Sequence, residues 1–340
     1  MRRPRLIAER SVNQSDKKRI AFIGTGGTIA SLGEGPFDIQ DYGRHGTVME
    51  AAALLARWPE AAGVAAVEPI AFRAVPSTAI GPADWLELRR LVDAVAARGV
   101  DGIVIGHGTA TLEETAYFLH LTAQGGKQPP VALVGAQRPS SALSSDAGMN
   151  LANACRVAGD PGARGLGVLV AMNDEIHAAR EVTKTHTARL QAFQSPDFGA
   201  LGLAEADAVH WYRRPLRPPG NFDLSGLAAL PRVDIVPCYA GADGVAVEAF
   251  LRAGAEGLVL DGFAPSGGTP ALMEALRDAP VPVAATTRAG GGRVVETTRS
   301  RAAGLIPADN LNAAKARVLL MLGLTRTRDR AELRALFDAY

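Results

Sequence analysis

At 340 residues the chain is long enough for a large core and for two domains, since single cores stop growing near roughly 250–300 residues. A net charge of +1 leaves no basic field to argue for nucleic acid, and no apolar run reaches the ~20 residues that a membrane helix needs. The two cysteines, Cys155 and Cys238, have no motif spacing, which argues against a disulfide scaffold and fits a reducing cytoplasm.

Residues 1–17 are basic but lack an apolar h-region, so they read as a loose arm rather than a secretory signal. Ile20 to Ile23 is an apolar, partly β-branched run that leads into Gly24-Thr25-Gly26-Gly27-Thr28. It reads as a first parallel strand ending in a glycine turn that carries two hydroxyls. Glycine takes positive φ without cost and lets backbone approach closely, and ligands of open α/β sheets sit beyond the strands' carboxyl ends. A threonine there is placed to act as a nucleophile; the plainer reading is a nucleotide-type turn whose hydroxyls only cap the next segment of chain.

Leu32 to Gly46 is rich in glycine and charge and reads as a mobile loop with Tyr42 as its one aromatic bearing a polar handle. Such loops over strand ends act as lids. Val48 to Trp58 reads as a helix, and Glu68 to Val75 as a strand ending in Pro76-Ser77-Thr78. Pro82 to Arg98 is an amphipathic helix with Trp85, Leu88, Leu91, Val92 and Val95 at helical spacing. Gly102 to Gly106 is a continuous apolar run of the kind that buried parallel strands show. It ends in His107-Gly108-Thr109-Ala110-Thr111, and Thr111 to Glu114 has the pattern of a capping box.

The rhythm continues. Val131 to Val134 and Gly167 to Met172 are strands, with a helix over Asp146 to Ala158 between them and a polar loop at Asn173-Asp174-Glu175. Val182 to Thr187 alternates as a half-exposed strand. Strand–loop–helix repetition of this kind means α/β with a doubly wound, mainly parallel sheet. Residues 211–231 are rich in proline and arginine and read as a linker between an N-terminal catalytic domain (18–210) and a smaller parallel-sheet α/β domain (232–340). The strands of that second domain are Val233 to Val236, Gly257 to Leu260 and Val281 to Ala285, with a last helix from near Asn312 through Leu324.

No His/Cys spacing suggests a metal: His45, His107, His120, His177, His186 and His210 are scattered, and His107 reads as a structural group at a strand end. No GxSxG elbow is present. The first glycine turn lacks the third glycine or alanine of a dinucleotide fingerprint, and Glu50 is only a weak candidate for its acid. What remains is a hydroxyl site needing no cofactor. A threonine hydroxyl needs a neighbouring base, and the available activators are Tyr42 on the loop and Lys184 on the polar strand, the latter able to pair with Thr109. By spacing alone, Lys184 reads as a solvated lysine.

Five stretches in order carry a resemblance: GTGGTIAS (Gly24–Ser31), GHGTATLEETAYFLHLT (Gly106–Thr122), VALVGAQRPSSALSSDAGMN (Val131–Asn150), VLVAMNDEIHAAREVTKTHT (Val168–Thr187) and NLNAAKARVLLMLGLT (Asn310–Thr325). Together they resemble the bacterial-type asparaginase/glutaminase family. The resemblance implies hydrolysis of L-asparagine to L-aspartate and ammonia, and homo-oligomers, usually tetramers of close dimers with shared active sites; with the cysteine usage and the hydroxyl site above, the expectation is a cytoplasmic enzyme without a cofactor. The resemblance also implies Thr28 as nucleophile, Tyr42 as its lid partner, Thr109 and Lys184 as a second catalytic pair, and Ser77 on the substrate α-carboxylate. The rest of the substrate-facing set is Gly27, Thr78, Gly108, Ala110 and, from a neighbouring subunit, Glu296.

The chain departs from the family at two of these positions. The family reads HGT-Asp-T where this chain has Ala110, and Ser-Gln where it has Ser77-Thr78. The missing Asp pairs in the family with the substrate α-ammonium and with the catalytic Lys. Truncating one partner of a buried charge pair costs ~3–5 kcal/mol, a loss on the order of 10²–10³ or more for L-asparagine unless Asp146, Asp174 or Glu175 substitutes. The alternative expectations are therefore an amide or acyl substrate without a free α-ammonium, hydrolysed by the same nucleophile, or a non-catalytic small-molecule binding protein. Loss of the Asp is also expected to lower the pKa of Lys184 and make it a better base.

Overall fold

The computed structural model describes residues 17–340, so the first sixteen residues of the expected arm lie outside the described residues. The strands are β1 (Arg19–Gly26), β2 (Ser31–Leu32), β3 (Thr47–Val48), β4 (Ala66–Val75), β5 (Gly102–Gly106), β6 (Val131–Val134), β7 (Val168–Met172), β8 (Glu175–Ala178), β9 (Thr183–Lys184), β10 (Phe193–Gln194), β11 (Gly202–Ala204) and β12 (Val209–Trp211), then β13 (Val233–Pro237), β14 (Gly257–Gly262), β15 (Val283–Thr287) and β16 (Ile306–Pro307). The helices are α1 (Tyr42–His45), α2 (Ala51–Arg57), α3 (Glu60–Val64), α4 (Pro82–Ala96), α5 (Leu112–Leu121), α6 (Ala147–Gly159), α7 (Val245–Arg252), α8 (Pro270–Arg277), α9 (Thr298–Ala302), α10 (Ala313–Leu324) and α11 (Arg330–Ala339).

The large sheet has eight strands in the order β12-β11-β8-β7-β6-β5-β1-β4. From β4 through β7 the pairing is parallel, and from β7 onward it is antiparallel. Alternate strand residues feed two cores. Ala21, Ile23, Ile103 and Ile105 pack toward α4 and α5, whereas Ile20, Phe22 and Val104 pack toward α2, α3 and α6. Both faces are thus covered, as continuous apolar strands require. The chain leaves β1 for β4 on one side and returns past β1 to β5 on the other. The carboxyl ends of β1 and β5 therefore flank the switch point, where such sheets form their ligand crevice.

A separate parallel sheet, β13-β14-β15-β16, follows. One of its faces packs on α7 and α8. The other shares the core that contains α5 and α10. Nearly every residue of α10 from Lys315 to Leu324 is buried, because the helix lies between the two sheets, and it is accordingly apolar all round.

Several local expectations are corrected. The expected helix from Val48 begins only at Ala51, because Thr47 and Val48 pair with Leu32 and Ser31 to close the base of the Tyr42 loop. Tyr42 itself opens a one-turn helix. The expected strand over 182–187 shrinks to Thr183–Lys184, paired with Phe193–Gln194. Asn173-Asp174-Glu175 does not end the sheet. Asn173 and Asp174, at φ 51° and 66°, make the tight turn of a β7–β8 hairpin, with the two positive-φ residues that a type I′ connection demands. The last sheet strand reaches Trp211, one residue into the stretch read as linker.

Candidate active site

Three backbone segments approach one another closely at the switch point. Gly26 and Gly27 have φ of 92° and 78°. A Cβ on Gly27 would collide with the backbone of Gly108, and one on Gly108 would come within 2.7 Å of the Ser77 Oγ. Only glycine permits this approach. It brings the segments carrying Thr28, Thr109 and Ser77 together.

The two hydroxyls of the first turn separate in role. Thr25 is buried within β1, and its hydroxyl donates to the Gly106 carbonyl at 3.0 Å, tying β1 to β5. Thr28 starts a short 3-10 turn and is half-buried, with its Oγ1 2.7 Å from the Tyr42 Oη. The loop that delivers Tyr42 is held by Asp38, which accepts from the amides of Glu34 and Asp41, and by the Ser141 hydroxyl, which accepts from Gly33.

On the neighbouring strand end, Thr109 is buried and its Oγ1 lies 2.9 Å from the Lys184 Nζ. Lys184 is half-buried, and burial pushes its pKa below the usual lysine value. Its strand is short, and residues that the motifs did not single out hold it. The Lys184 amide donates to Glu113 of α5 at 2.8 Å, and the Asn312 side chain donates to the other Glu113 oxygen at 2.8 Å. Lys315 is wholly buried and donates its ammonium to the carbonyls of Arg180 and Val182, just upstream of Lys184. Burial lowers its pKa to about 8. Glu113, Asn312 and Lys315 all lie within the stretches that carry the resemblance, and Asn312 and Lys315 stand out there as a polar pair at the start of an otherwise apolar helix. Away from the strand ends, Lys184 borders a cavity of about 330 Å³ shared with the second sheet's loops.

On the substrate side, the buried Ser77 Oγ accepts from the Ala110 amide at 3.2 Å, and its carbonyl accepts from the Thr111 hydroxyl at 2.8 Å. The capping box expected at Thr111–Glu114 is therefore not formed. Thr111 makes no side-chain cap bond, because its hydroxyl is committed to Ser77, and Glu114 instead faces Arg317 at 3.9 Å. Thr78 and Ala110 are both exposed.

The three acids considered as substitutes for the missing Asp are engaged elsewhere. Asp146 accepts from the amides of Gln137 and Arg138, both at 2.9 Å. Asp174 accepts from Asn153 at 2.8 Å. Glu175 lies 3.4 Å from His177, which holds its carboxyl below the usual range. Glu296 sits on the second unit among Arg301, Arg330 and Arg334, with its pKa lowered by hydrogen bonds from Arg301 and Arg330. Within one chain it is thus an ion-paired surface group.

Among the described residues, one cluster brings metal-type donor atoms together. Glu205, Asp207 and His210, on the exposed β11–β12 hairpin, each place one donor atom within 4.8 Å of the others. None of them is near the switch point in the fold. No helix among the described residues is long and apolar enough to cross a membrane.

Two family descriptions match the chain: "Asparaginase, N-terminal" over residues 19–217 and "Glutaminase/Asparaginase C-terminal domain" over residues 232–337. The chain is similar to L-asparaginase 2 of Bacillus subtilis, at 38% identity covering 97% of this chain and 89% of the relative. It is similar to the glutaminase-asparaginase of Pseudomonas fluorescens biotype A, at 36% identity covering 94% and 90%. Among solved structures it is similar to that of a probable cytoplasmic L-asparaginase from Campylobacter jejuni. The TM-score there is 0.89 at 37% identity, covering 95% of this chain and all of the other.

Proposed function

The chain belongs to the asparaginase/glutaminase family, and from that premise we propose that it hydrolyses an L-asparagine-type amide through an acyl-enzyme on Thr28. One observation carries this reading. Two threonine hydroxyls stand at the ends of adjacent parallel strands, and each has its own proton partner, Tyr42 at 2.7 Å and Lys184 at 2.9 Å. In the first step the Thr28 Oγ1 attacks the amide carbonyl carbon as its proton passes toward Tyr42. Backbone N–H groups near Gly27 and Thr109 hold the oxyanion. As Tyr42 receives that proton it hands its own hydroxyl proton to the amide nitrogen, the C–N bond breaks, and ammonia leaves. Water then attacks the Thr28 ester as the Thr109/Lys184 pair takes its proton, the ester C–O bond breaks, and the Thr28 oxygen is reprotonated as the acid product leaves. A lysine with a lowered pKa is suited to that task. Ser77 anchors the substrate carboxylate. The same reading makes the protein a cytoplasmic homo-oligomer.

A second reading keeps the nucleophile and changes the substrate. Ala110 and Thr78 are exposed where the family resemblance implies ligands for an α-ammonium, and Asp146, Asp174 and Glu175 are each held elsewhere. That favours an ω-amide without a free α-ammonium.

Ammonia release from L-asparagine and from succinamate, wild type beside Thr28→Ala, separates the readings. Thr28-dependent release from L-asparagine supports the first and requires another group to replace the Asp. Release from succinamate with little from L-asparagine supports the second. Binding without product, equal in Thr28→Ala, would overturn both in favour of a binding protein.

A further inference from the structure

His107 is wholly buried at the end of β5, one residue before the glycine that packs on Gly27. Its Nδ1 lies 2.8 Å from the Gly108 carbonyl oxygen and its Nε2 lies 3.1 Å from the Thr115 Oγ1. The Trp85 indole Nε1 donates to the same Thr115 oxygen at 2.9 Å. The two ends of this chain are fixed in polarity. An indole N–H can only donate and a carbonyl can only accept. Thr115 takes the indole hydrogen on a lone pair and gives its own hydrogen to Nε2. The ring must then carry its proton on Nδ1 and donate it to Gly108. The opposite tautomer would set the Nδ1 lone pair against the carbonyl lone pairs. Burial also keeps the ring neutral, with its pKa lowered to about 4.

The Gly108 carbonyl belongs to the same peptide unit as the Thr109 N–H. A carbonyl that accepts a strong hydrogen bond leaves its N–H more positive, and bonds in such chains strengthen one another. Among the described residues the Thr109 N–H donates to no backbone carbonyl in the turns and loops, so it is free to serve a ligand.

We propose that Trp85, Thr115 and His107 form a one-way hydrogen-bond relay that fixes the His107 tautomer and polarises the Thr109 N–H toward the oxyanion formed when Thr28 attacks. The three are positioning residues, and the proposal rests on the acyl-enzyme reading above. It assigns a task to a histidine that otherwise reads as a satisfied core group.

The first test needs no turnover. In ¹⁵N spectra of the resting wild-type protein, His107 is expected to be protonated at Nδ1 and bare at Nε2 from neutral pH down to about pH 5. A ring protonated at Nε2 would overturn the relay. The second test uses His107→Asn, whose amide can replace the Nδ1–H donor, and His107→Leu, which cannot. The Thr109 amide proton is expected to move upfield in His107→Leu and to stay near its wild-type position in His107→Asn.

Strengthening of 10–30% per bond, applied to an oxyanion donor worth 10²–10³, predicts a kcat about two- to eightfold lower in His107→Leu. KM should be unchanged, and the Asn variant should recover most of the loss. Equal kcat in the two variants, with only thermal stability lost, would make His107 purely structural and overturn the proposal. A wild type that turns over no amide would remove the acyl-enzyme reading, and the two spectra would still decide the relay.

Discussion

The two threonine hydroxyls of the site are alike in chemistry and unlike in support. Thr28 follows β1 and is half-buried, and its partner Tyr42 arrives on a loop whose residues 34 and 37–41 are mostly exposed. Thr109 follows β5 and is buried, and its partner Lys184 is held by Glu113, Asn312 and the buried Lys315. One pair has a half-buried partner on a mostly exposed loop, which a substrate can displace or cover. The other has a partner built into the junction of the two sheets. In a two-step acyl transfer that difference is useful. The nucleophile must be open to a bulky amide, whereas the base that activates a small water molecule can sit in a rigid, partly desolvated place. Preorganised groups cost no reorganisation at the moment of reaction.

The two pairs should break differently. The largest effect is expected for Thr28→Ala, a loss of ~10⁴-fold or more in kcat, since removing a nucleophile leaves only binding and oxyanion contributions. Steady-state ammonia release measures it, and residual activity within tenfold of wild type would sink the nucleophile assignment. Lys184→Met should cost about 10³-fold in kcat, within the range for a positioned base, and should leave a stalled acyl-enzyme visible by mass spectrometry of the intact protein. Tyr42→Phe should cost about 10²-fold and leave no trapped ester, because it slows the first step. An ester trapped in Tyr42→Phe instead of Lys184→Met would reverse the roles of the two pairs.

The smallest and most diagnostic change is Ala110→Asp. The pKa of Lys184 is lowered by burial, so its neutral form is reached at lower pH than for a free lysine. Activity that needs neutral Lys184 therefore rises with pH through that lowered value. A carboxylate beside Thr109 would stabilise the ammonium, raise the pKa, and move the acidic limb of the kcat profile up by about one pH unit. L-asparagine should gain relative to succinamate in the same variant. An unmoved limb with no gain on L-asparagine would count against both Lys184 as the base and Ala110 as the lost ammonium site.

Much of the fold was legible because burial is written locally. Gly102–Gly106 and Val131–Val134 are unbroken apolar runs, and a strand covered on both faces has to be one. The antiparallel extension was not legible in the same way. β11 and β12 are three residues each, too short for a period, and Asn173-Asp174 reads from its sequence as a loop, although both residues tolerate positive φ. Thr111 shows the limit of motif reading. Its sequence context is that of a capping box, but a carbonyl from a different segment, Ser77, took the hydroxyl.

For the site, the sequence alone determined which residue types follow each buried strand: glycines that admit close backbone, hydroxyls at two strand ends, and one lysine on a polar stretch. It also determined that an alanine stands where the resemblance implies an acid. The resemblance implied Thr28 rather than Thr25, and the tertiary structure adds the physical difference between them, one hydroxyl buried on Gly106 and the other beside Tyr42. Spacing alone reads Lys184 as a solvated lysine and only the resemblance implied its pairing with Thr109, 75 positions away; the tertiary structure supplied the contact. The physical reason is that apolar burial is a property each side chain carries with it. A hydrogen-bond partner is a relation between two places in space, and those places exist only once the sheets have packed.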